Sequence, residues 1–207
     1  MKFHLKILIF SSILLVIGAS PKQTIIPASR MEPRLQFNGF SIARPPDNGW
    51  LAILEEQTPT KALFRKYLKN ESNTHTFFVM VELRKLHNTP KTLDDFVNFE
   101  KETHVFEDTE RFKLLDFAPR SGMRQGQWCV YWKESSMDLY PDVVPSVPLS
   151  LRVHGFTCLH PSHEQIVVYA QCSERGLEDE LDSLLFAEGM AILESVQLES
   201  AAGKSIR

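Results

Sequence analysis

Four residues within one short run, HGFTCLHPSH, have side chains that could do chemistry: His154, Cys158, His160 and His163. Imidazole and thiolate are ligands for zinc and copper, so the run is first read as a metal site. On a strand, side chains two apart share a face, which places His154, Cys158 and His160 together. At a rise of about 3.3 Å per residue, Cys158 and His160 stand about 7 Å apart at the backbone, within reach of one ion; His154 and Cys158 stand about 13 Å apart, too far. A metal centre therefore reduces to Cys158, His160 and His163 wrapped around a hairpin, with a further ligand from elsewhere. The plainer reading is a turn with ordinary histidines and a core thiol, because a metal needs a complete ligand set and supporting hydrogen bonds. Cysteine–histidine catalysis would need a thiolate in an electropositive pocket, and nothing around Cys158 specifies one. No catalytic residue is assigned.

Two further places could hold a ligand or partner. Trp128, Val130 and Trp132 alternate with Cys129, Tyr131 and Lys133, so both tryptophans belong on one sheet face and Tyr131 on the other. Such a row either lines an apolar groove or forms the sheet's core under a helix. Glu174 and Arg175 sit between the last long strand and a C-terminal helix, where they either grip a polar ligand or face water at a corner. The acidic residues Glu178, Asp179, Glu180 and Asp182 suit the positive end of that helix, and their spacing is not that of a calcium loop. Asn70-Glu71-Ser72 is a glycosylation acceptor sequence. No phosphate-binding loop, dinucleotide fingerprint, HExxH or GxSxG occurs, and no cofactor is expected.

The elements that position these residues can be read from periodicity. Strands are expected at Gly39–Pro45, Trp50–Glu56, Thr76–Leu83, Phe112–Pro119, Gln127–Lys133, Leu149–Leu159 and Gln165–Cys172, and Ala62–Leu68 is ambiguous. His160–Glu164 suits a hairpin, whereas Leu139–Pro148 is a longer proline-rich loop. Leu93, Phe96, Val97 and Glu100 fall at helical spacing, and Thr92 with Asp95 approximates a capping box, which predicts a helix over about 93–104. A second helix is expected over about 177–193, followed by a short strand at Ser195–Leu198. Together these predict an α+β domain whose antiparallel sheet of six to eight strands packs against helices.

Residues 1–20 read as an export signal: Lys2 and Lys6 precede an apolar stretch, Ile7–Ala19, that ends in small residues. Its 13 residues fall short of the roughly 20 that span a bilayer, which favours removal over retention as an anchor. Any membrane contact would run through this segment alone. Residues 21–34 read as a linker, 35–199 as one domain and 200–207 as a flexible tail. Without residues 1–20, 21 basic side chains face 26 acidic ones, a net charge of −5. That balance argues against nucleic acid, which needs a basic stripe. Export also bears on Cys129, Cys158 and Cys172: an odd number allows at most one internal disulfide, or else buried structural thiols.

Phe40, Ile42, Pro45 and Trp50 in the early GFSIARP-turn-Trp segment, with Phe186, Ile192, Ser195 and Val196 near the closing ILESVQL, resemble the PsbP-like family of photosystem II extrinsic subunits and exported bacterial proteins. The resemblance covers about Leu35 to Leu198. It implies an α-β-α sandwich and a binding or assembly role, and it carries no binding residue onto a position here. The sequence thus points to an exported, periplasmic or extracellular, non-enzymatic binding or assembly factor whose partner is a protein or a small apolar ligand. The alternative is a periplasmic metal-binding protein using Cys158, His160 and His163.

Overall fold

The computed structural model describes residues 24–46, 48–68, 74–104, 108–141 and 147–200. In chain order its elements are β1 (Ile25–Pro27), β2 (Arg34–Phe37), β3 (Phe40–Ala43), β4 (Trp50–Ile53), β5 (Lys61–Lys66), β6 (Thr76–Lys85), α1 (Leu93–Thr103), β7 (Phe112–Arg124), β8 (Gln127–Asp138), β9 (Leu149–His160), β10 (His163–Gly176), α2 (Ser183–Glu194) and β11 (Gln197–Leu198). The segments rich in Val, Ile, Phe and Tyr pair into an antiparallel sheet of order β1-β4-β5-β6-β10-β9-β8-β7. Strands β11, β3 and β2 form a second, small sheet. The expected α+β architecture, an antiparallel sheet packed against two helices, is what forms.

Alternation along each strand sorts side chains to two faces. Cys129, Phe156, Val168 and Cys172 turn toward α2 and the small sheet, joining Phe40, Ile42, Trp50, Phe64 and Phe77 in the main core. Val130 and Val167 turn the other way, onto Phe96 of α1. The tryptophans of β8 and Tyr131 thus take opposite faces, as their spacing predicts.

Local chemistry explains the helix boundaries. Thr92 Oγ1 accepts from Asp95 N at 3.0 Å, and the Asp95 carboxylate accepts from Thr92 N at 3.0 Å, the reciprocal cap expected at the start of α1. Helix α2 begins six residues later than its pattern suggests. The Glu180 carboxylate accepts from Leu177 N at 2.9 Å and stabilises a turn, so the cap falls to Asp182, which accepts from Leu184 N at 2.8 Å. The far end of α2 is held by Arg124, which donates to the carbonyls of Leu193, Glu194 and Val196.

The expected linker is corrected over its described part. Ile25–Pro27 pairs with β4 and Ala28 is fully buried, because the Ile-Ile pair is β-favouring and finds an open sheet edge. At the other edge, β7 carries a register shift near Leu115 and a proline at 119, which blunt its pairing with other chains. The β7–β8 turn at Gln125-Gly126 places both residues at positive φ, a hairpin geometry absent from the sequence-based reading. The leader, the glycosylation sequence, part of the Leu139–Pro148 loop and residues 201–207 lie outside the described residues.

Cys129 and Cys158 face each other across β8 and β9 and form a disulfide that closes 29 residues. Chain-entropy arguments give such a loop about 3–4 kcal/mol. A C129A/C158A double variant is expected to lose about that much in urea unfolding. A loss below about 1 kcal/mol would show that the bond adds little to the packing.

Candidate functional site

The hairpin does not assemble the expected metal centre. Cys158 is bonded to Cys129, so its sulfur is no thiolate ligand. His160 is buried at 4% exposure, and its Nδ1 accepts from Ser162 N at 3.1 Å. Its Nε2 lies against Gly39: a Cβ there would sit 2.1 Å from it, and Gly39 has φ +82°. The β2–β3 turn therefore needs glycine twice over, for backbone angle and for close approach. His163 does come near, its ring centroid 5.0 Å from that of His160. Among the described residues no group of three or more His, Cys, Asp or Glu side chains is placed to hold a metal ion. His154 shares the face of Cys158 and His160, as predicted, and packs against Phe186 of α2.

The tryptophan row and the Glu174–Arg175 pair are also corrected as single surfaces. Trp132 is 2% exposed, enclosed by His104, Tyr169 and Phe117 with centroids 4.9–6.3 Å away. Trp128 is half-buried beside the Phe96 cluster. Both rings serve as core, Trp128 under α1 and Trp132 beside the helix's C-cap His104, the structural alternative for that row. Glu174 and Arg175 are adjacent on β10 and so point to opposite faces. Glu174 is fully buried on the α2 side, where it accepts from Asp182 N and bonds His75 Nε2, each at 2.8 Å. Arg175 emerges on the other face and donates through Nη1 to Asp138 Oδ2 at 3.2 Å.

Arg175 lines an open groove of about 480 Å³ beside the C-terminal end of α1. Phe78, Leu151, Val153 and Tyr169 supply apolar walls, and Gln171 and Ser173 continue the Arg175 row along β10. Two polar networks flank it. At the α1 end, His104 bonds Glu134 Oε2 at 2.5 Å and stacks on Phe117 at 4.0 Å, while Ser136 donates to the same carboxylate. Arg84 lies 3.3 Å over the Tyr169 ring, whose hydroxyl donates to Gln171 Oε1 at 2.7 Å. Burial pushes the Tyr169 hydroxyl and the Glu100 carboxyl above their ordinary ranges. At the opposite end, the fully buried Asp138 carboxylate takes Arg111 Nε at 2.9 Å and Arg111 Nη2 at 3.0 Å, in addition to Arg175. Of these groove residues, sequence reasoning found Arg175 alone. The missed signal was a polar residue at every second position in ESSMD of β8 and QCSER of β10, each following an apolar run, WCVYW and IVVYA.

No protein-family model matches the chain, and no curated protein matches it. Among solved structures it is similar to the Ran-binding protein Mog1p of Saccharomyces cerevisiae, with 12% identity, a TM-score of 0.47, and coverage of 80% of this chain and 94% of that one. It is also similar to cyanobacterial PsbP from Synechocystis sp. PCC 6803, with 14% identity, a TM-score of 0.44, and coverage of 88% and 99%. A PsbP thus stands among its structural neighbours, as the early and late sequence segments imply. The likeness is one of fold alone.

Burial lowers the pKa of His154 and His160, with Lys133 and His163 respectively adding repulsion. The fold therefore favours neutral imidazoles, and the stability they give is present above 6.5 and lost as pH falls through it. Glu100 works in the other direction, since its raised pKa favours the protonated fold. NMR titration is expected to place both imidazole midpoints below 6.5, and E100Q to steepen the fall in melting temperature between pH 7 and 5. Midpoints at or above 6.5 would remove the cause.

Proposed function

We propose that the protein is an exported, non-enzymatic binding or assembly factor that holds a small apolar ligand or a protein segment in the groove beside α1. The observation that carries this reading is the groove itself: about 480 Å³, apolar walls, and polar groups fixed at its two ends, by the His104–Glu134 hydrogen bond and the Arg175–Asp138 ion pair. That volume lies within the range of ligand sites, as does the mixture of apolar lining and few placed polar groups. His104, the imidazole among the described lining residues, has Nε2 committed to Glu134 and its ring to Phe117, which suits a positioning role more than proton transfer. Residues 1–20 supply the export address, and the domain they carry reaches to about Glu199. The Cys129–Cys158 bond supports an oxidising compartment outside the cytoplasm. Among the described residues no helix is long and apolar enough to cross a membrane.

The test is native mass spectrometry of the protein purified from its own source, beside a variant with the groove filled, L151W. Wild type is expected to carry a bound mass that L151W lacks, with the two melting within about 3 °C of each other. Identical ligand-free spectra, or turnover of a compound at the groove, would overturn the reading.

A further inference from the structure

We infer that the groove takes a monocarboxylate with a compact apolar body. Its carboxylate sits on Arg175 and its body lies over Phe78, Leu151 and Val153. This rests on the binding reading above and names the ligand class for the same site.

The argument starts from Asp138. Its carboxylate is fully buried and already gripped by Arg111 through two parallel hydrogen bonds, at 2.9 and 3.0 Å. Such a fork matches a carboxylate's shape and satisfies most of its accepting capacity. Arg175 adds one longer contact, Nη1 to Oδ2 at 3.2 Å. A guanidinium has five N–H donors. For Arg175, Nε is buried without an acceptor and Nη2 takes none among the described residues, while its side chain stays 24% exposed at the groove. A half-neutralised cation with free donors at the end of an apolar trough calls for an anion.

The number of charges follows from the neighbours. Asp138 stands directly behind Arg175, and Glu134 lies on the same face of β8. A phosphate dianion at Arg175 would meet the field of both carboxylates, whereas a single negative charge is matched by the single guanidinium. The body of the ligand is set by the walls: Phe78 from β6, Leu151 and Val153 from β9, and the Tyr169 ring from β10. Ser173, two positions before Arg175, lines the groove on the same face.

The experiment titrates isotope-labelled full-length mature protein with 4-phenylbutyrate, its uncharged amide, and 3-phenylpropyl phosphate, following backbone amides by NMR. The acid is expected to shift Val153, Ser173 and Arg175 saturably, and to bind about tenfold tighter than the amide or the phosphate. R175Q should weaken the acid about tenfold and leave the amide unchanged. Should R175Q fail to fold, L151W, which spares the Arg–Asp pairs, must abolish the shifts. Equal binding of acid and amide overturns the carboxylate assignment and leaves the groove reading standing. Tighter binding of the phosphate overturns the monoanion. If none of the three compounds shifts groove amides, the ligand class is overturned, and the bound mass in the native spectra then decides separately whether the groove binds at all.

Discussion

Helix α1 is too short for the sheet it covers. Its 11 residues rise about 16 Å, whereas β8, β9 and β10, with 12 to 14 residues each, run about 40 Å or more. Phe96 therefore seals the half of the face that holds Val130 and Val167, and α1 meets the rest at its C-terminal end, where Thr103 and His104 line the trough. On the opposite face α2 shares the work with β2, β3 and β11, so the main core is closed there. The mismatch of lengths is what leaves a trough on one face, and the residues found in it follow from that.

An uncovered strip in the middle of a sheet cannot be wholly apolar without inviting association. Here β8 supplies Glu134, Ser136 and Asp138, and β10 supplies Gln171, Ser173 and Arg175, flanking an apolar row from β9. Every buried charge in that pattern must be partnered, since removing one member of a buried pair typically costs about 3–5 kcal/mol. Asp138 is partnered by two arginines and Glu134 by His104 and Ser136. His104 also ends α1, so the same hydrogen bond fixes the helix and closes the trough at that end.

What could be read in the sequence was local or periodic. The Thr92–Asp95 cap involves residues three apart, and the sorting of Trp128 and Trp132 from Tyr131 needs only the strand period. The start of α2 was misplaced because four acidic residues near a helix end look alike until Glu180 closes its own turn. The metal reading failed for non-local reasons. Cys158 meets Cys129 from the neighbouring strand, and His160 is held against a glycine in a turn of the other sheet. Nothing within HGFTCLHPSH reports either partner. Likewise Asp138 and Arg175 become neighbours only once β8, β9 and β10 are aligned in register.

Cys172, the third cysteine, is buried next to the main core, and burial pushes its thiol up to about 12. Exchange with a disulfide requires an ionised and accessible sulfur, and burial disfavours the thiolate while covering the atom. Once the domain has closed, the odd thiol cannot scramble the existing bridge or couple two molecules together. A single covalent isomer persists even where oxidants are plentiful.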